Sequence, residues 1–139
     1  MSPRFEPPPS QTGEPWWEAT KKHQFVIQHC NSCGKAIHHP RDICPHCHSL
    51  DLEFRPASGK GEVYAFSVMH RPGNPLMQDR VPYVVALIDL AEGARMMSNV
   101  VGCDPADVSV GMPVKVTWED LSDGRALPLF EPRGEGETV

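Results

Sequence analysis

From Gly59 onward the chain alternates apolar and polar positions with a period near two, the repeat of a half-buried strand. Five stretches carry it: Glu62–Arg71, Val81–Leu90, Ala94–Val101, Pro113–Glu119 and Arg125–Glu131. In the first, Tyr64, Phe66, Val68 and His70 fall on one side and Val63, Ala65, Ser67 and Met69 on the other. The second is almost continuously apolar, and the fourth sets Val114, Val116 and Trp118 against Lys115, Thr117 and Glu119. Turns close at Gly93 and at Ser122-Asp123-Gly124, and the break at Asp104-Pro105, with residues 107–110, leaves room for one helical turn between the third and fourth strands. Five strands in this order, with a short element before the fourth, predict a small Greek-key barrel of the OB type, whose closure removes exposed sheet edges.

Upstream the pattern is different. Pro15 opens a helical segment over residues 14–25, EPWWEATKKHQF, with proline in the tolerated first turn, acidic residues early and lysines late. Trp16 and Trp17 are adjacent and cannot both face inward from one helix, so one of them is expected to meet another element or a partner protein. Residues 1–13 hold four prolines among polar residues and read as an extended or disordered arm. The chain thus divides into an arm and helix (1–25), a cysteine-bearing ribbon (26–57) and a barrel domain with a polar tail (58–139), mainly β throughout.

Cysteine changes the picture most. Four of the five form Cys30-x2-Cys33 and Cys44-x2-Cys47, with ten residues between the pairs. Two intervening residues let one tight turn aim both sulfurs at a single ion, and the longer span allows a hairpin to bring the second turn opposite the first. Four thiolates satisfy the tetrahedral preference of Zn2+ and leave no open position, so the site is structural. Iron suits the same sulfur set, and the colour of the protein separates the two. His29, His38, His39, His46 and His48 crowd the stretch but read as solvated or packed ribbon residues. A ribbon of about thirty residues is too small to fold on burial alone, and Val26, Ile27, Ile37, Ile43 and Leu50 offer little apolar surface against the ~10–16 kcal/mol of a structural zinc.

Length and charge narrow the function classes. The chain has 139 residues and 15.4 kDa, enough for one ordinary domain or two very small ones. No apolar run approaches the ~18 residues of a membrane span and the first residues lack a hydrophobic signal core, so a cytoplasmic location is expected. The net charge of −5 divides into −2 over residues 1–19, +3 over 20–60 and −6 over 61–139. An acidic barrel repels a phosphate backbone, which disfavours nucleic acid as partner.

The strings PWWEATKKHQFVIQHCNSCG, CPHC, SGKGEVYAFSVMHRP, VPYVVALIDLAEGARMMSNVVG and VGMPVKVTWED together resemble a family that joins a rubredoxin-like zinc ribbon to an acyl-CoA-associated OB-fold. The likeness runs in order from Pro15 to about Pro132. It implies an accessory subunit of a thiolase-superfamily enzyme, in a heterotetramer or larger assembly with acyl-CoA at or near the interface; a retro-aldol cleavage of steroid side-chain CoA thioesters is the favoured instance. His48 departs from the pattern, because the turn after such a cysteine pair more often has a left-handed glycine.

The residues alone offer no catalyst. There is no GxSxG, no phosphate-cradling glycine loop and no HExxH, and Cys103, the only thiol outside the pairs, reads as an ordinary strand-end residue. Interaction is better supported: the proline-stiffened segment 71–82 presents Leu76 and Met77, and with Trp16 and Trp17 these are the candidate partner contacts. Met96 and Met97 extend the patch, although neighbours on a strand face opposite ways and at least one belongs to the core. A role beside CoA phosphates needs cations; Lys60, Arg71 and Arg80, with His70 reaching toward a partner's site, are the candidates, and Lys35, Arg41 and Arg55 lie in the positive section. Two other readings stand beside this one: a single-stranded nucleic-acid-binding module and a small rubredoxin-type electron carrier.

Overall fold

A computed structural model describes residues 6–8, 10–72 and 75–133. The expectations for the first five residues and Pro9, for Gly73 and Asn74 of the 71–82 loop, and for the tail from 134 onward lie outside the described residues.

Helix α1 spans Glu14–Thr20 with Pro15 in its first turn. It is shorter than the sequence pattern predicts, because His23 takes a left-handed φ of 55° and turns the chain into an extended path. Thr20 fixes the end: its Oγ1 donates to the Trp17 carbonyl (2.6 Å) and accepts from the Ala126 backbone N–H (3.2 Å). Three strands follow, β1 (Val26–Cys30), β2 (Ala36–Ile37) and β3 (Leu52–Pro56), paired antiparallel in the order β2-β1-β3.

The five expected strands are present as β4 (Lys60–Met69), β5 (Tyr83–Leu90), β6 (Arg95–Val100), β7 (Pro113–Asp120) and β8 (Ala126–Pro132), closed into a barrel in the order β4-β5-β6-β8-β7. Closure is made by a single parallel pairing of Val100 with Phe130. The helical turn before β7 is a 3-10 segment, Pro105–Asp107, capped by the Asp104 carboxylate accepting from the Ala106 N–H. A second 3-10 segment, Pro75–Arg80, fills the β4–β5 connection and was not expected.

The alternation expected along β4 breaks at one point. Its register against β5 slips between Val63 and Ala65, leaving Tyr64 as an extra, exposed residue. Val63 therefore faces the core before the bulge, and Phe66 and Val68 face it afterwards, so neither expected side is uniform.

The barrel core is shared with the ribbon. Phe25, just before β1, and Ile27 within it are buried in one cluster with Val63, Val84, Ile88, Val114 and Phe130. Each such side chain contributes about 1.5–3 kcal/mol by leaving water. Beyond them the ribbon has only Cys30, Ile37 and Cys44, with Leu52 packed against them, while Ile43 and Leu50 are exposed. Gln28 is buried as well, although its position reads as polar: its side-chain amide donates to the Arg41 carbonyl (2.8 Å) and its Oε1 accepts from the Arg41 N–H (2.7 Å), which pins the long span between the cysteine pairs.

Candidate metal centre and partner-facing groove

The two cysteine turns are near copies of each other. The Gly34 N–H donates to the Cys30 carbonyl (2.8 Å) and the His48 N–H to the Cys44 carbonyl (2.9 Å). The Cys30 N–H donates to Lys35 O, and the Cys44 N–H to Ser49 O. Gly34 and His48 occupy equivalent left-handed positions at φ 77° and 65°, so His48 adopts the conformation that glycine more often supplies. In each turn a backbone N–H also reaches sulfur: Cys33 N–H to Cys30 Sγ (3.5 Å) and His46 N–H to Cys44 Sγ (3.3 Å). The first of these lowers the Cys30 thiol to about 6, toward the thiolate a metal requires.

The four Sγ atoms lie within 4.8 Å of one another, with Cys30 to Cys47 at 3.5 Å and Cys33 to Cys44 at 3.8 Å. Tetrahedral ligation at about 2.3 Å per Zn–S bond needs sulfurs roughly 3.8 Å apart, so the donor set fits such an ion. No histidine belongs to the cluster among the described residues. His38 instead lies partly buried beside Trp16, with ring centroids 6.1 Å apart, and burial, then the neighbouring His39, push it down to about 4.

The remaining candidates separate. Trp16 is buried and meets Trp17 edge-on at 4.7 Å, while Trp17 lies under the Arg125 guanidinium at 4.5 Å. Both tryptophans are thus engaged by their own chain. Met77 is buried at 8 % exposure, so its expected display on the loop is corrected: the 3-10 segment folds it back on the barrel and leaves Leu76 outside. Met96 is core and Met97 is 63 % exposed, as alternation requires.

The cations do not converge. Lys60 opens β4, whereas His70 and Arg71 follow its other end; ten residues at about 3.3 Å per residue put roughly 30 Å between them. Arg80 forms a bidentate, largely buried pair with Glu119 (2.9 and 2.8 Å), which ties the 3-10 segment to β7. Arg55 is held by Glu53 and Asn31. Cys103 is half-buried, and burial followed by the Asp107 and Asp104 carboxylates push its thiol up, so it keeps its proton at neutral pH.

Sequence reading missed Arg125. It is buried, pairs with Asp123 (2.7 Å) and donates to the Pro7 carbonyl (2.9 Å), while the Ser122 hydroxyl donates to Glu6. Glu6 and Pro7 are therefore held against the β7–β8 turn, unlike the loose arm expected from their composition. An arginine two residues past Asp123, just beyond a turn glycine, carried no signal of burial.

Where α1, the ribbon and the outer face of β5 and β6 meet, a groove of about 580 Å³ opens, lined by Trp16, Trp17, His38, Pro40, Met77, Val85 and Met97 among others, with no lysine or arginine in its wall.

The family model described as the ChsH2 rubredoxin-like zinc ribbon domain matches residues 17–53, and that of the ChsH2 C-terminal OB-fold domain matches 54–119. A DUF35 domain-containing scaffold protein of Methanocaldococcus jannaschii is 36 % identical over 114 residues, covering 78 % of this chain and 80 % of its own. The chain belongs to the ChsH2-type DUF35 family. Within the family, a probable enoyl-CoA hydratase alpha subunit of Thermomonospora curvata is 42 % identical over 117 residues, which cover 84 % of this chain but 36 % of that one. The chain thus spans about a third of the length of that subunit. Among solved structures, a chain of the Ltp2-ChsH2(DUF35) aldolase superposes with a TM-score of 0.81 at 39 % identity, covering 91 % of this chain and 98 % of its own. The first of these relatives is described as a scaffold protein and the second as a subunit of an enoyl-CoA hydratase.

Proposed function

We propose that this chain is a non-catalytic accessory subunit that binds a thiolase-like acyl-CoA enzyme and supports its activity, with retro-aldol cleavage of a steroid side-chain CoA thioester as the reaction served. The observation that carries the reading is the near end-to-end likeness to a chain of the Ltp2-ChsH2(DUF35) aldolase. The chemistry of the site agrees with it. A closed four-sulfur cluster offers no position to a substrate, and Cys103 is protonated and faces acidic neighbours.

Cys30, Cys33, Cys44 and Cys47 hold a structural zinc in this reading, and its role is to fix the ribbon beside the barrel. Partner contact falls on Leu76 and Met97, the exposed apolar side chains of the loop and the β6 face. Of the cation candidates, His70 and Arg71 lie exposed together at one end of β4 and could meet a CoA phosphate, whereas Lys60 is too distant to share that contact.

Co-expression with a thiolase-like acyl-CoA enzyme is the test. A stable complex, and acyl-CoA lyase activity that the partner lacks alone, are expected. Full activity of the isolated partner, or the absence of any complex, would sink the reading.

A further inference from the structure

The four sulfurs of the cluster differ in access. Cys30 and Cys44 are buried, whereas Cys33 and Cys47 are exposed. Two short contacts run from one turn to the other, Cys30 Sγ to Cys47 Sγ at 3.5 Å and Cys33 Sγ to Cys44 Sγ at 3.8 Å. Each joins a sulfur that solvent reaches to one that it does not. An accessible thiolate with a second thiol beside it oxidises reversibly, because the neighbour resolves the first product into a disulfide.

The surrounding backbone favours bonds between the turns over bonds within them. Cys33 N–H and His46 N–H hold the inner sulfurs, Cys30 Sγ and Cys44 Sγ, from inside their own turns. Ser32 Oγ and Ser49 Oγ, 2.8 Å apart, already join the two turns beside the cluster. A disulfide sets its sulfurs about 2.05 Å apart, so the two cross-turn pairs must close by roughly 1.5 and 1.8 Å. The outer residues can supply that travel, since Ser32, Cys33 and Gly34 in one turn and Pro45, His46 and Cys47 in the other are exposed, and no core side chain is displaced.

We infer that the cluster is a peroxide-responsive switch in which two disulfides, Cys30–Cys47 and Cys33–Cys44, replace the ion and keep the ribbon closed. In each pair the exposed thiolate attacks one oxygen of hydrogen peroxide, breaking the O–O bond to give a sulfenic acid and hydroxide. The buried thiolate then attacks that sulfur and expels the second hydroxide. Two thiolates, one peroxide and two protons thus become one disulfide and two waters. Two equivalents of peroxide consume all four donors, so no ligand is left for a metal. Because both bonds join the end of β1 to the second turn, they hold together the parts that the ion holds. The switch belongs to this chain alone, and its failure would leave complex formation with a partner enzyme untouched.

The test uses the full zinc-loaded chain carrying Cys103→Ala, so that only cluster thiols remain. Two equivalents of hydrogen peroxide are added, a metallochromic dye follows release, and tandem mass spectrometry of non-reduced peptides assigns the bonds. Release of the ion is expected, with links Cys30–Cys47 and Cys33–Cys44 and an oxidised chain that melts well above the reduced, chelated one. Dithiothreitol with added zinc should restore the starting form. The inference is overturned by retention of the ion, by links in any other register, Cys30–Cys33 and Cys44–Cys47 included, or by sulfinic acids in place of disulfides. An oxidised chain that melts no higher than the chelated one also overturns it.

Discussion

The guanidinium of Arg125 lies over the indole of Trp17, 4.5 Å from the ring centroid, and joins the residue just past the β7–β8 turn to the middle of a helix more than a hundred positions upstream. The same side chain reaches Asp123 and the Pro7 carbonyl. Arg125→Ala should destabilise the protein by about 2–4 kcal/mol, because it removes the stacking and leaves two acceptors unpaired. Arg125→Lys should recover only part of this, since an ammonium lacks the planar fork. Denaturant midpoints of the zinc-loaded variants measure both.

Thr20 is nearly fully buried, and its hydroxyl is the acceptor of the Ala126 N–H. Thr20→Val preserves shape but orphans that donor at the start of β8. A loss of about 1–3 kcal/mol is expected, read by thermal unfolding, with the Ala126 amide among the first to gain hydrogen exchange.

Removal of the metal tests the ribbon. Cys44→Ser, or exhaustive chelation, should abolish stoichiometric metal in elemental analysis and unfold residues 26–57, since the apolar surface there cannot replace the ~10–16 kcal/mol that a structural zinc would supply. The barrel should also lose stability, because Phe25 and Ile27 are part of its core. A barrel with unchanged melting temperature after metal loss would refute that link.

His38 predicts a pH dependence. Its folded value is pushed down to about 4 from an ordinary 6.5, so the unfolded chain binds a proton that the folded chain refuses between those pH values. Its contribution is intact above pH 6.5 and is lost as pH falls toward 4, by about 3 kcal/mol at the full shift. His38→Gln should therefore flatten the fall in stability between pH 6.5 and 4 relative to the wild type.

Gly59 and Gly34 both have left-handed φ, at 79° and 77°, yet differ in their surroundings. A Cβ at Gly59 would stand 2.5 Å from Val116 Cγ1, whereas one at Gly34 meets nothing within 4 Å. Gly34→Ala should cost about 1–2 kcal/mol from the backbone alone, and Gly59→Ala distinctly more, as paired unfolding curves would show.

The barrel strands and the four-cysteine set were legible because each depends on local information, a period of two or a fixed spacing. The start of α1 at Glu14 was legible too, but its C-terminal end was not, since the stop is set by Thr20 meeting β8 far along the chain. Nor was the bulge at Tyr64, which exists only relative to the register of β5. Arg125 and Gln28 look like surface residues in isolation, and their burial follows from partners brought near by folding. The same reasoning explains why Leu76 and Met77, adjacent and similar, were read alike and yet separate into an outer and an inner residue once the loop coils.

Ile27 belongs at once to the strand that carries a metal-binding turn and to the interior of the barrel, and Phe25, one residue before that strand, joins it there. Two lobes that share a wall cannot swing against each other without opening it. The separation between the metal-binding turns and the barrel is therefore set by those side chains, and loss of the ion would alter that spacing before it altered either surface.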